Sequence, residues 1–515
     1  MILRRITRIS MKVLLLTFSV LFLFSENPVV HADSDPLFKV GLLHGKNAVS
    51  EISVSAASQL AIAEISGESL IIKENLNTDS VFVKNTDGTI SIFDLNFALL
   101  RENLSTGEAI VSVNFQSGEP ISIASKKYRG GVGFFPVADK MNVINVINLE
   151  NYLYGVIHAE IGKSSPPETL KAQAVTARSY VMANPHRHTK DGFDICTSVH
   201  CQTYRGFKDE YPETIAAVDA TAGVVMRYNG KIVQGFYSKN SGGHTENSKD
   251  IWGGNAGYLK GVPDEYSPEY PWTYELNLSD FSNSLLKNGH IVGQINEINI
   301  VNRFSSGSVS NVEIKGDGGR TVIPSNSFRN MIGASKLKSL MFTVNAKAVT
   351  HKQSDFRQNA ASSAPPLQHD SNEFSGDGYA FKQMKDCSVI SFYSDSAPLS
   401  EAYVIDSQSR PIQLNPTDRV YVISKPVNIA AAPNPSIPAV PGYGAIVQSN
   451  ENFVVPSGAD SAFLCGVGWG HGIGMPQDSA IVMGKKGMSF QEILNYFYSG
   501  IELGRIQILD AGTGF

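Results

Sequence analysis

No glycine-rich phosphate-cradling loop follows a strand-like run in this sequence, which argues against chemistry on ATP or nicotinamide cofactors. There is no basic excess: 43 Lys and Arg stand against 48 Asp and Glu, a net charge of −5. A nucleic-acid partner would want a basic face, so none is expected. Charge is sparse throughout, at 18% of residues. Long apolar runs are missing except one, Val13 to Phe24, which is too short to span a bilayer comfortably. Arg4, Arg5, Arg8 and Lys12 precede it, and Val30-His-Ala32 offers small residues before Asp33. Residues 1–32 therefore read as a secretory signal; the competing reading, an uncleaved anchor, is the one route to a membrane. Cysteine is scarce, at Cys196, Cys201, Cys387 and Cys465. Export permits disulfides, but neither a Cys196–Cys201 nor a Cys387–Cys465 bridge follows from sequence alone.

What is present divides a chain of 515 residues into two or three domains of α+β class. Residues 33–140 hold short β-type runs such as Ser69 to Lys73, Ser80 to Lys84 and Ala109 to Phe115, separated by turn residues, which predicts an antiparallel sheet or small barrel. Residues 141–350 form a core of mixed helices and antiparallel strands. Within it, Val224 to Phe236 reads as a hairpin turning at Asn229-Gly230, and a helix is expected around Ser325 to Ile332. Residues 351–457 are read as an insertion. Its opening, Gln353 to Gly376, is rich in Ser, Ala, Pro and Asn; strand-like pieces such as Ser388 to Tyr393 follow, and Asn428 to Gly444 is rich in Pro and Ala. The core resumes over 458–515.

The most informative stretch is Asn148-Leu-Glu-Asn-Tyr-Leu-Tyr-Gly-Val-Ile-His-Ala-Glu160. Leu149, Leu153, Val156 and Ile157 share one face at helical spacing, and Glu160 falls at the helix end, where a rigidly held side chain can face a cleft. The next helix is expected to take Ser165 as N-cap, Pro166 as first residue and Glu168 as the reciprocal capping partner, to bury Leu170, Ala174, Ala177 and Val181, and to end at Pro185.

These blocks resemble the SpoIID/LytB family of bacterial cell-wall proteins. The likeness rests on the Leu149 to Glu160 run, on Lys171-Ala-Gln-Ala-Val-Thr-Ala-Arg-Ser-Tyr180 and on Cys201-Gln-Thr-Tyr-Arg-Gly206. It continues through Tyr237-Ser-Lys-Asn-Ser-Gly-Gly-His-Thr-Glu246, Ile251-Trp-Gly-Gly254, Tyr258-Leu259, Gly468-Trp-Gly-His-Gly-Ile-Gly-Met475 with Gln477, and the tail from Glu492 to Gly500. The blocks span roughly Phe38 to Val349 and Cys465 to Gly504. The segment 351–457 departs from the family pattern, as do Pro476 and Asp478-Ser479 beside Gln477. The resemblance implies a lytic transglycosylase acting on peptidoglycan glycan strands. In the other branch it implies a wall-binding protein that enhances a partner N-acetylmuramoyl-L-alanine amidase. A spore-morphogenesis scaffold is a third possibility.

A lytic transglycosylase can work with one carboxylate, because the muramic acid 6-hydroxyl of the substrate is its own nucleophile. Glu160 is the candidate general acid and base; the bland alternative is a solvated helix-end residue, although the helix dipole disfavours a carboxylate there. Glu150 and Glu168 are read as structural. The substrate-binding candidates are Arg178, Gln202, Tyr204, Ser241, His244, Trp469, His471 and Gln477, with Arg205 beside them. For Gln202 and Tyr204 a core strand is the competing reading, and for the glycine-rich loops it is tight packing. Ser241 with His244 also suggests a serine hydrolase, but no nucleophile elbow is evident. Cys196, His200 and Cys201, with His188 or His186 as a fourth ligand, form a candidate structural zinc site. A Cys196–Cys201 disulfide, or free thiols beside a surface histidine, are the alternatives.

Overall fold

The structure is a computed structural model and describes residues 35–198, 200–254, 256–356 and 451–506, together with the backbone pairing of short strands between 389 and 413 and of 446–450. The segment read as a secretory signal, Cys387 and most of the segment read as an insertion lie outside the described residues. Two compact units are present: Met1–Ala361 with Tyr443–Phe515, and Ser362–Gly442. In the second, Val389–Ile390 pairs with Ser396–Ala397 and Tyr403–Ile405 with Pro411–Gln413.

The first unit is α+β, and its strands pair mostly antiparallel. A seven-stranded sheet runs in the order Ile195–Cys196, Leu37–Leu43, Lys140–Asn148, Gly131–Val137, Glu108–Ser112, Leu60–Ser66, Ser69–Asn75. A six-stranded sheet faces it, with Glu51–Ser55 and Ser80–Thr86 at its centre. Alternation does the sorting: Ile52 and Val54, and Val81 and Val83, point inward while their neighbours do not. Helix α1 (Leu149–Ile161) follows directly from strand Lys140–Asn148, and α2 (Pro167–Ala183) packs beside it. One continuous apolar core joins both sheets to α1, α2 and α3 (Pro212–Ala220), running from Val40 to Val218. Leu149, Leu153, Val156 and Ile157 are fully buried in it, as their spacing predicts. Each such side chain removed from water contributes roughly 1.5–3 kcal/mol.

Between α1 and α2 the capping differs from expectation by one position. Helix α2 begins at Pro167, with Pro166 in the N-cap place and no side-chain cap. The Ser165 hydroxyl instead donates to the Ile161 carbonyl at 2.9 Å, satisfying an orphan acceptor at the end of α1. Glu168 accepts from Phe490 N–H at 2.9 Å and pairs with Lys171 at 2.7 Å. The helix ends at Ala183, before Pro185.

Farther along, Val224–Tyr228 and Lys231–Ile232 form the expected hairpin, with Asn229 and Gly230 at positive φ (50° and 76°). Short helix α4 (Ser248–Trp252) precedes a second core built on α5 (Leu278–Lys287), α6 (Ser325–Ile332) and the sheet Gly319–Pro324, Val309–Gly316, Ile295–Phe304, Ile446–Val454. The chain returns through Ser461–Val467, inserted between Pro271–Asn277 and Phe342–Asn345. It then forms α7 (Gln477–Lys485) and α8 (Phe490–Phe497), the latter closed by a Ser489–Glu492 capping box. Among the described residues two pairings are parallel, Val40/Gly41 with Ile195/Cys196 and Tyr237/Ser238 with Met475/Pro476, and each joins segments distant in sequence. Among the described residues no helix is long and apolar enough to cross a membrane.

Candidate functional site

The last turn of α1 opens onto a cleft of about 390 Å³. Gly162 takes a positive φ of 81° and its N–H caps the His158 carbonyl, while Lys163 N–H donates to His158 Nδ1 at 2.9 Å. These contacts and the Ser165 hydroxyl fix the helix end, so Glu160 enters the cleft from a held backbone. Its Oε1 accepts from Thr203 N–H at 2.6 Å, and the Tyr237 hydroxyl bonds the same carboxyl group. Gln477 Nε2 donates to the Glu160 carbonyl at 3.1 Å, tying the start of α7 to the end of α1. Burial raises the carboxyl above its ordinary range and outweighs the Thr203 and Tyr237 hydrogen bonds and the more distant Arg205 charge, all of which favour the carboxylate.

The opposite wall is aromatic. Trp252 packs on Phe236 (ring centroids 4.7 Å apart) and on His471 (5.1 Å). Trp469, 39% exposed, stands in the glycine-rich turn, where its backbone exchanges both hydrogen bonds with Asn240 at 2.9 and 3.0 Å. Glycine is required nearby: Gly474 has φ 75°, and a Cβ there would lie 1.9 Å from the Phe236 carbonyl. His471 Nδ1 accepts from Ile473 N–H at 3.0 Å. Burial, then the Arg329 charge, lowers its pKa to about 4, against a hydrogen bond with the Tyr237 backbone, so the ring is neutral near pH 7.

Of the substrate-binding candidates, Trp469, His471 and Gln477 line the cleft with Glu160. The others lie elsewhere. Arg178 is fully buried, with Nε and Nη2 on the two oxygens of Glu150 at 2.8 and 2.6 Å. Gln202 is buried behind the cleft, accepting from the Tyr152 hydroxyl at 3.2 Å and donating to the Ala177 carbonyl at 3.3 Å. Tyr204 sits in the core and donates to Asn145 Oδ1 at 2.9 Å. The Ser241 hydroxyl donates to Asp264 Oδ2 at 2.6 Å, and Ser479 donates to the same oxygen at 2.6 Å, an arrangement that ties both loops to α7. His244 Nδ1 lies 2.6 Å from the Thr245 carbonyl, and its backbone bridges to Pro263. Sequence reasoning did not select Thr203, Tyr237, Trp252, Lys239 or Arg187, all of which line the cleft. Tyr237, Lys239 and Trp252 stand inside the motif blocks that carry the family likeness. Thr203 acts through a backbone N–H, which leaves no side-chain signature.

At the cleft edge, one ligand atom from each of His188, Cys196, His200 and Cys201 lies within 4.8 Å of all the others. Tetrahedral Zn–S and Zn–N bonds of ordinary length place sulfur and nitrogen about 3.6 Å apart. Cys196 Sγ is 3.7 Å from His200 Nδ1, and Cys201 Sγ is 3.5 Å from both His200 Nδ1 and His188 Nε2. The donor set therefore fits zinc. His188 Nδ1 lies 3.5 Å from Asp191 Oδ2, the outer carboxylate such ligands commonly carry. His186 is not in the group; it faces Asp194 at 3.2 Å. Cys196 and Cys201 are free thiols, and contact with Cys201 holds the Cys196 thiol well below its usual range. Arg187 bridges the cluster to the cleft, with Nη2 3.3 Å from His200 Nε2 and Nη1 donating to the Tyr180 hydroxyl at 2.7 Å.

Residues 137–228 match the family model described as SpoIID, stage II sporulation protein. An uncharacterized protein of Brachyspira hyodysenteriae is 30% identical over 233 residues, covering 45% of this chain and 62% of that protein. The amidase enhancer of Bacillus subtilis is 25% identical over 435 residues, 84% of this chain and 52% of its own length. Stage II sporulation protein D of Bacillus amyloliquefaciens is 26% identical over 243 residues, 40% of this chain and 71% of that protein. The chain thus spans between half and two thirds of the first two relatives. The matched segment covers α1, α2 and the cluster loop, so the part of the chain that holds Glu160 and the Cys–His cluster is similar to the SpoIID family.

Proposed function

We propose that this protein is an exported lytic transglycosylase that cleaves peptidoglycan glycan strands between N-acetylmuramic acid and N-acetylglucosamine, with Glu160 as the single acid and base. The observation that carries the reading is a carboxyl group held by Thr203 and Tyr237 in an aromatic-walled cleft, where burial keeps it protonated to higher pH than usual. Glu160 gives its proton to the bridging oxygen as the bond to the anomeric carbon breaks. The muramic acid 6-hydroxyl bonds to that carbon and its proton passes to Glu160. No water is consumed; the products are a 1,6-anhydromuramic end and a free 4-hydroxyl on N-acetylglucosamine. Proton transfer of this kind supplies about 100- to 10,000-fold, and holding the 6-hydroxyl against the anomeric carbon supplies much of the rest.

His188, Cys196, His200 and Cys201 would hold a structural zinc. Its contribution when bound is to pin the loop. Cys201 is two residues before Thr203, whose N–H holds Glu160, so the loop sets the position of that donor.

Glu160→Gln keeps the Thr203 contact and removes the transferable proton. It is expected to abolish release of anhydromuropeptides from glycan strands, read by mass spectrometry, while glycan binding persists. Unchanged cleavage would refute the assignment. The second reading, a wall-binding protein that enhances an amidase, is favoured by the likeness to the amidase enhancer across 84% of this chain. It predicts no anhydro product from the parent protein and faster stem-peptide release when an amidase is added.

A further inference from the structure

A corner outside the acid–base machinery has the features of a binding site for an anionic sugar. Trp469 projects from a backbone fixed on both strands of its bridge with Asn240, yet the residue remains 39% exposed. An aromatic ring held this firmly with an open face is suited to stack on a sugar and contributes little to packing. Tyr270 lies beside it, with ring centroids 5.9 Å apart and planes tilted by 46°. Lys338 closes the corner: its ammonium is 5.4 Å from the Tyr270 centroid and 5.3 Å from that of Trp469. Its own carbonyl accepts from Gly470 N–H at 2.9 Å, so the lysine backbone is joined to the turn that presents the tryptophan. Among the described residues no carboxylate lies within ion-pair distance of Lys338, whereas Lys239, the cation nearer Glu160, is already paired with Asp478 at 2.7 Å. Two rings hold an ammonium in place by cation–π attraction but leave its hydrogen-bond donors unfilled.

We infer that Tyr270, Trp469 and Lys338 form a subsite for a pyranose carrying a carboxylate substituent, the ring stacking on the aromatic corner and the carboxylate accepting from the Lys338 ammonium. The subsite rests on the glycan-cleaving reading and names the group by which the cleft recognises its strand. On a peptidoglycan strand the carboxylate has two sources, the lactyl group of muramic acid where the peptide has been removed and the stem peptide where it has not.

The test uses the full chain carrying Glu160→Gln, so that strands are bound and not consumed, with and without Lys338→Gln. Four probes are titrated: peptide-free glycan oligomers, the same oligomers with their carboxylates methyl-esterified, peptide-bearing oligomers, and N-acetylglucosamine oligomers of equal length. Loss of a charge-assisted hydrogen bond predicts that Lys338→Gln weakens a carboxylate-bearing probe by about ten-fold or more, without affecting the esterified or N-acetylglucosamine probes. Loss on the peptide-free strand assigns the lactyl group, and loss confined to the peptide-bearing strand assigns the stem peptide. Trp469→Ala weakens all four. Equal affinities with and without Lys338→Gln overturn the subsite, as does failure of every carboxylate probe to bind. These outcomes are separate from the assignment of Glu160, which falls if Glu160→Gln still cleaves or if the parent protein releases no anhydro product.

Discussion

Glu246 offers a test of the structure that does not depend on catalysis. It lies under the glycine-rich turn: its N–H donates to the Gly472 carbonyl at 2.8 Å, and a Cβ on Gly472 would come within 2.7 Å of its Cγ. The side chain is 4% exposed and accepts from the Ser306 hydroxyl at 2.8 Å; among the described residues no Lys or Arg forms an ion pair with it. Burial, against the Ser306 and Ser308 hydroxyls and reinforced by Asp250, raises its pKa from 4.5 to about 7. The folded state thus holds this proton more tightly than the unfolded chain. The stabilisation is complete below pH 4.5, is lost as pH rises through 7, and then leaves an ionised group in the interior. A displacement of this size is worth about 3 kcal/mol in full, of which about 2 to 3 kcal/mol is lost between pH 5 and pH 8. Glu246→Gln keeps an acceptor for Ser306 and does not titrate. Its stability relative to the parent should therefore rise by about 2 to 3 kcal/mol from pH 5 to pH 8, read from urea midpoints of the full chain. His471, with its pKa lowered to about 4, works the other way: unfolding takes up a proton between roughly pH 4 and 6.5, so stability increases with pH there. That slope is common to both proteins and cancels in the difference. Parallel stability curves for parent and variant would refute the burial argument.

Other outcomes follow from the same contacts. Tyr237→Phe removes a hydrogen bond that favours the Glu160 carboxylate, so the alkaline limb of the cleavage rate should move to higher pH; a limb that stays in place would remove Tyr237 from the account. Arg178→Met strands Glu150 in the interior and should cost about 3–5 kcal/mol in denaturant titration. Cys196→Ser should lower bound zinc from one per chain towards zero in metal analysis of purified protein, and a parent without zinc would exclude the metal reading.

Some of this was legible in the sequence because the relevant signals are local. The buried face of α1 repeats at helical spacing, and Asn229-Gly230 dictates its own hairpin. The Cys196 to Cys201 loop gathers three candidate ligands within six residues, so only the fourth required long-range knowledge. What sequence did not show depends on distance. Arg178 and Glu150 stand 28 positions apart, and only packed helices reveal them as partners. Tyr204 is taken into the core because Gly155 leaves it room; a Cβ there would meet the Tyr204 ring at 2.7 Å. Ser165 has the residue type of an N-cap, but its hydroxyl is claimed by the Ile161 carbonyl of the preceding helix, a competition that no motif records.

The turn after strand Ser461–Val467 and the start of helix α7 supply Trp469, His471 and Gln477 to the cleft of a group placed three hundred residues earlier. Proximity between Glu160 and Trp469 is therefore among the last things the chain can achieve, because the loop that must close is long. A product truncated before Ser461 would carry the acidic group without Trp469, His471 and Gln477. For a protein whose proposed target is the envelope of its own cell, such late completion is a safeguard, since a half-made copy lacks the exposed tryptophan proposed to grip the strand.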